Sequence, residues 1–182
     1  MTWQRQRLDG GLLLSQQQRS SPGLLAARLW IAGGSSIDPA GQRGAHQLLA
    51  GLLTRGCGNL DAEALADLVE GRGAALRAEA GEDNLTVSLK CAQGDAEVLL
   101  PLLLQMVAQP HLANDQIEIE RQLNLQALQR QREDPFQLCH EGLRSQLYGD
   151  GPYGHDPLGV EAELDALGQD ALQSLQQHLG WQ

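Results

Sequence analysis

The sequence predicts an α+β fold, an antiparallel or mixed β-sheet with helices packed on it. Strand-like segments and glycine-rich turns crowd the first half, whereas leucines at helical spacing dominate the second. Aromatic residues make up only 3% of the chain, so Leu and Ala must fill the core, and both favour helix. The 182 residues suffice for one core-bearing domain and are too few for two comfortable ones, so 1–182 reads as a single domain.

The elements follow in order. Trp3 to Leu8 reads as a strand leading into Asp9-Gly10-Gly11, a hairpin turn signal, with Leu12 to Gln17 as its partner. Leu24 to Ala32 (LLAARLWIA) is apolar enough for a central strand, ended by Gly33-Gly34-Ser35-Ser36. Ala45, Leu48, Leu49, Leu52 and Leu53 repeat at helical spacing, and Gly56 to Gly58 supplies a stop. Asp61 is a fair cap for a helix running to about Glu70. Two strands fit Ala74 to Ala80 and Leu85 to Cys91, joined by Gly81-Glu82-Asp83-Asn84. Asp95 to Ala108 is a helix disturbed by Pro101. Asn114 or Asp115 caps a long helix to about Glu133, and Asp134-Pro135 opens another to about Leu147. A loop from Tyr148 to Gly159, with Gly154, Pro157 and Gly159 as turn-formers, precedes short helices at Val160 to Leu167 and Gln169 to Leu179.

Charge and cysteine usage narrow the function classes. The formal net charge of −10 argues against nucleic acid, whose affinity rests on basic contacts to phosphate. It suits attraction of basic peptides, or solubility alone. Cys57, Cys91 and Cys139 are too far apart for a disulfide framework and fit a reducing compartment. Met1 to Leu14 carries Arg5 and Arg7 without a long apolar stretch, so no signal peptide is expected. The apolar run Val98 to Leu104 is interrupted by Pro101 and far short of a membrane span. The expectation is a soluble, cytoplasmic protein.

The order of short motifs carries a family resemblance. The run GQRGAHQLLAGLLTRG (Gly41 to Gly56) resembles the metal helix of the pitrilysin/insulinase and mitochondrial processing peptidase family, whose active members bear His-x-x-Glu-His there. LDGGLLL, LWIAGGSSIDP and GRGAALRAEAGEDNLTVSLKC resemble the family's strands in their usual order. EIERQLNLQALQRQREDP resembles the long helix that supplies a third zinc ligand, and LYGDGPYGHDPLG resembles a loop that follows it. The likeness spans about Leu8 to Leu179. In that motif, imidazoles at i and i+4 share one helix face and can hold one zinc. The Glu at i+3 can take a proton from the zinc-bound water, and a carboxylate from the second helix completes the set.

Position by position, the resemblance implies that most of this machinery is lost. His46 matches the first ligand, Leu49 stands at the general base, and Ala50 at the second histidine. Aligning Glu120-Arg121 with the family's Glu-Arg pair places Ala127 at the third ligand. One imidazole cannot hold zinc, so no metal, no cofactor and no catalytic residue is expected, and His46 reads as a residual, partly buried histidine. His111, His140, His155 and His178 are scattered without ligand spacing. No G-x-S-x-G elbow surrounds Ser35-Ser36, no phosphate loop includes the lone Lys90, and Glu118 with Glu120 reads as solvated surface.

The resemblance then implies a non-catalytic partner subunit of a zinc peptidase, helping to bind an unfolded peptide. A structural or assembly module without peptide binding remains an alternative, and an active hydrolase with a rearranged site is a third. In active relatives the substrate adds as a strand to a sheet edge. The matching stretch here begins Arg77-Ala78-Glu79, with a charge where the family has an amide, so a plain edge strand is the competing reading. Family subunits usually contain two such domains, so the chain is expected to be truncated relative to them, and a bare sheet edge gives a motive for self-association.

Overall fold

A computed structural model describes residues 2–9, 11–20 and 23–179. The chain opens with β1 (Gln4–Arg7) and β2 (Leu13–Gln16), an exposed antiparallel hairpin in which Gln4 pairs Gln16 and Arg7 pairs Leu13. Its expected turn includes Gly10, which lies outside the described residues. The main sheet is antiparallel, with β3 (Leu24–Ala32), β6 (Ala75–Ala80) and β7 (Asn84–Ala92) in the order β3-β7-β6. The expectation that Leu24 to Ala32 is a central strand is therefore corrected: β7 is central, and β3 is an edge among the described residues. The physical reason is visible in its side chains. Leu25, Ala27, Leu29 and Ile31 face the core, while Leu24, Arg28 and Trp30 face outward, so the strand is buried on one face only.

Between β3 and β6 lie a short 3-10 turn (Ser35–Ile37), α1 (Ala45–Leu53), a two-residue strand pair, β4 (Gly56–Cys57) with β5 (Leu60–Asp61), and α2 (Ala62–Glu70). The expected stop at Gly56 is thus a tight hairpin. Asp61 caps α2 as its type suggests, its Oδ1 accepting from the Ala64 N–H at 2.8 Å. Helix α1 buries seven of its nine residues, Ala45, His46, Leu48, Leu49, Ala50, Leu52 and Leu53, so it runs through the core with almost no solvent face. It packs against β6 and β7 on one side and later helices on the other.

After β7 the chain is helical: α3 (Ala96–Leu99), α4 (Leu102–Ala108), α5 (Asn114–Gln131), α6 (Pro135–Tyr148), α7 (Glu161–Leu164) and α8 (Gln169–Gln177). The single helix expected over Asp95 to Ala108 is two, parted at Leu100-Pro101, because proline has no N–H for the i−4 carbonyl. Neither Asn114 nor Asp115 caps α5. The cap position is Ala113, which offers no side-chain acceptor, and Asn114 and Asp115 fall inside the first turn. Asp134 does cap α6, accepting from the Phe136 N–H at 2.9 Å with Pro135 in the first turn. Val160 to Leu167 shortens to the single turn of α7. Among the described residues no helix is long and apolar enough to cross a membrane, and Cys57, Cys91 and Cys139 are free thiols.

Candidate functional site

The N-terminus of α1 is organised by one carboxylate. The chain leaves β3, turns through the 3-10 segment, and delivers Asp38 beneath the start of the helix. Its Oδ2 accepts the Gly44 N–H at 2.7 Å, and its Oδ1 accepts the His46 N–H at 3.1 Å. Oδ1 also lies 2.7 Å from His46 Nδ1. A carboxylate only accepts, so Nδ1 carries the hydrogen and donates. Both side chains are sealed from water, His46 at 1% and Asp38 at 0% exposure. His46 was expected to be partly buried; the fold buries it fully because α1 is central to the core and Asp38 satisfies its ring. The helix start needs Gly44, whose φ of 106° lies in the left-handed region and whose missing Cβ leaves room for Leu158 O and the Leu164 side chain.

His46 also borders a cleft of about 420 Å³ between the end of β3, the 3-10 turn and α8, walled by Ile37, Pro39, Ser174, Leu175 and His178. Leu49 and Ala50 lie on the same helix, both at 0% exposure in the core. Ala127 is half-buried on α5 and borders a different, shallower depression with Arg130, Gln131, Asp134 and Leu158. Helix α5 reaches α1 through Gly51, where an added Cβ would overlap the Glu120 carboxylate. The structure thus puts His46, Leu49 and Ala50 on one helix and Ala127 on the helix packed against it.

The donor chemistry does not fit a zinc ion. Leu49, Ala50 and Ala127 have hydrocarbon side chains without a lone pair, which leaves only the Nε2 of His46, whose Nδ1 donates to Asp38, and one imidazole does not hold the ion. Among the described residues no group of three or more His, Cys, Asp or Glu side chains is placed to hold a metal.

Several functional-looking groups lie outside the motif. Glu120, expected on a solvated surface, is buried on the core face of α5 and paired with Arg55, at 2.6 Å from Nε and 2.5 Å from Nη2. Asn124, one turn on, is buried with its Nδ2 lacking a partner among the described residues. Arg43 binds Glu163 of α7 through its guanidinium and its backbone N–H, the latter at 2.9 Å. That pairing holds the Glu163 carboxyl below the usual range. From α6, Arg144 donates to two carbonyls of the loop that follows, Tyr153 O at 3.1 Å and His155 O at 2.7 Å, and the Tyr153 hydroxyl donates to Asp83 at 2.7 Å. His155 is buried, with Nε2 unpartnered among the described residues, and burial lowers its pKa from the ordinary value, with Asp38 opposing and Arg43 adding to the shift. The signal for Asp38 lies in the sequence, an Asp-Pro six residues ahead of a Gly-Ala helix start. His155 has no comparable signal, because only the loop's tertiary path buries it.

The stretch Arg77-Ala78-Glu79 lies within β6, an edge of the main sheet among the described residues, with Arg77 and Glu79 exposed and Ala78 half-buried. Helix α1 packs against that strand.

Comparison with known proteins places this arrangement. Residues 15–159 match the family described as insulinase (peptidase family M16). Among curated relatives, an uncharacterized zinc protease of Mycobacterium leprae is 24% identical over 170 residues, covering 93% of this chain and 38% of the relative. Subunit 1 of the mitochondrial cytochrome b-c1 complex of Bos taurus is 32% identical over 123 residues, covering 68% of this chain and 25% of the relative. This chain therefore spans well under half the length of those relatives. Among solved structures, a peptidase M16 inactive domain from Pseudomonas fluorescens superposes with a TM-score of 0.90 at 24% identity, over 97% of this chain and 43% of that one. A protease from Helicobacter pylori gives a TM-score of 0.90 at 18% identity, over 100% of this chain and 44% of that one. Those two likenesses establish the fold, the sequence match runs along most of the chain, and the protein belongs to the insulinase family of peptidases, family M16.

Proposed function

We propose that this chain is a non-catalytic member of the insulinase family that serves as a partner subunit of a zinc peptidase. The observation that carries the reading is the complete burial of Leu49 and Ala50 in the core, at the positions that the family resemblance assigns to the general base and the second histidine. A base must meet the water it activates, and an aliphatic side chain sealed among leucines can neither bind that water nor take its proton. The similarity to a domain described as inactive, and to a protein named as a subunit of a complex, supports the same reading. In it the chain binds no zinc, and the exposed edge of β6 at Arg77 to Glu79 is where an extended peptide would add as a further strand.

Metal analysis of protein purified without chelator tests the catalytic half of the proposal. The expected zinc content is far below stoichiometric, and more than half an equivalent that disappears in His46→Ala would overturn it. Affinity capture from the native cell tests the other half, with the expected outcome an associated protein that bears an intact His-x-x-Glu-His sequence. Recovery of the chain with no such protein removes the partner-subunit role.

A further inference from the structure

The helices pack on one face of the main sheet, and the opposite face carries a compact basic patch. The strand registers define it. Arg28 of β3 and Arg77 of β6 both stand opposite Ser88 of the central strand β7, forming one row across the sheet. Lys90, the chain's sole lysine, stands two residues along β7, opposite Ala26 and Ala75. Neighbouring strands are ~4.8 Å apart and residues rise ~3.4 Å along a strand, so the three cations fall within ~10 Å of one another. All three are exposed. Arg43, Arg55, Arg72, Arg121, Arg132 and Arg144 each meet a carboxylate. Among the described residues Arg28, Arg77 and Lys90 have no hydrogen bond or ion pair.

Such a cluster is unexpected on a chain of net charge −10. One carboxylate, Glu79, shares the face in the next row, opposite Thr86 and Trp30, so the patch as a whole remains positive. Trp30 in that row is 57% exposed on the same face as Arg28, an apolar plate bordering the cations. Cations without internal partners beside an exposed indole make a surface complementary to carboxylates flanking an aromatic or aliphatic side chain.

We propose that the outer face of the β3-β7-β6 sheet docks an acidic polypeptide segment, its carboxylates on Arg28, Arg77 and Lys90 and an apolar side chain on Trp30. A nucleic acid fits this surface poorly, because three cations are a short track for a polyanion that the rest of the chain repels. A second copy would bring another strongly negative body against the first. The site shares Arg77 with the β6 edge proposed above for strand addition, but it needs neither His46 nor a catalytic partner, and Trp30 on β3, away from that edge, distinguishes docking on the face from addition at β6.

The test is fluorescence anisotropy of the full chain with a fluorescein-labelled dodecapeptide rich in Glu and carrying two central Phe. Two charge-reversed triples with equal net charge are compared, Arg28→Glu/Arg77→Glu/Lys90→Glu and Arg5→Glu/Arg7→Glu/Arg19→Glu, each checked for native circular dichroism. The expected result is saturable binding at low salt that weakens at least tenfold in the sheet-face triple and in 0.3 M NaCl. Binding should stay within threefold in the amino-terminal triple and weaken at least threefold in Trp30→Ala. Equal losses in both triples would mean that net charge alone governs binding and would overturn the assignment. So would absence of binding, tighter binding of a fluorescein-labelled single-stranded dodecanucleotide, or light scattering that shows a dimer dissolved by the sheet-face triple.

Discussion

Replacing Leu49 with Glu asks whether the position that the family resemblance assigns to the general base opens on a site. Leu49 has no exposed surface and belongs to the main core cluster. Removing its side chain from that packing costs about 2–4 kcal/mol. The carboxyl adds a second cost. A fully buried Glu stays neutral, with pKa values near 8–9 on record, whereas in the unfolded chain it titrates near 4.3. The folded pKa is therefore the raised one, and at pH 7 only the unfolded state is ionised. That favours unfolding by about 1.4 kcal/mol for each pH unit above 4.3, or about 3.7 kcal/mol at pH 7. The penalty vanishes below about pH 4 and grows as pH rises toward the folded pKa. Together the two costs reach about 6–8 kcal/mol, as large as the whole stability of many domains. Urea unfolding followed by far-ultraviolet circular dichroism, at pH 7 and 5.5, separates them when Leu49→Gln is measured alongside. We expect Leu49→Glu to be unfolded or nearly so at pH 7, and its deficit relative to Leu49→Gln to shrink by about 2 kcal/mol at pH 5.5. A Leu49→Glu protein within about 1 kcal/mol of the parent at pH 7, with no deficit relative to Leu49→Gln, would refute the reasoning. The new carboxylate would then be reaching water, as a catalytic base must.

Three further outcomes follow from the same geometry. Gly44→Ala should lower stability by about 2 kcal/mol or more in a thermal melt, because a Cβ there combines a left-handed backbone with contacts of 2.7 Å to Leu164 and 2.9 Å to Leu158 O. Asp38→Ala strands the Gly44 and His46 N–H groups and the His46 ring, and should cost about 2–4 kcal/mol in urea unfolding; Asp38→Asn, which keeps an acceptor, should cost less. Burial depresses the pKa of His155, so its contribution to stability is present above about pH 6.5 and is lost as pH falls toward its folded value. The melting temperature of the parent should accordingly drop further between pH 7.5 and 5.5 than that of His155→Gln, and equal drops would show that His155 is not the group responsible.

The fold was legible wherever local chemistry decides it. Asp61 and Asp134 cap the helices that their types suggest, and the β6-β7 pair falls within a residue of its pattern. The role of Leu24 to Ala32 was not legible, because alanines at the outward positions read as apolar whether or not anything covers them; only the pairing shows β3 at an edge. Glu120 misled for a related reason. A carboxylate on a helix is surface by default, and only a partner 65 positions away, Arg55, makes its burial tolerable. The placement of His46, Leu49 and Ala50 on one helix follows from their spacing, but the depth of that helix comes from sheet and helices closing on both sides of it.

That depth bears on how one imidazole is accommodated beside aliphatic residues on the same helix. Leu49 and Ala50 contribute hydrocarbon to a core made of hydrocarbon, and neither needs a hydrogen-bond partner there. His46 is polar and equally buried, so it is tolerated only because Asp38 satisfies it, and Asp38 is in turn held in place by capping the helix that carries His46. Removing the histidine alone would leave the carboxylate buried with one donor fewer, at a cost of about 1–3 kcal/mol. The pair is thus a unit of the fold, joined by hydrogen bonds to the start of α1. On the proposed reading, the aliphatic Leu49 and Ala50 leave the pair undisturbed, and the capping bonds of Asp38 are enough to hold His46 in the core.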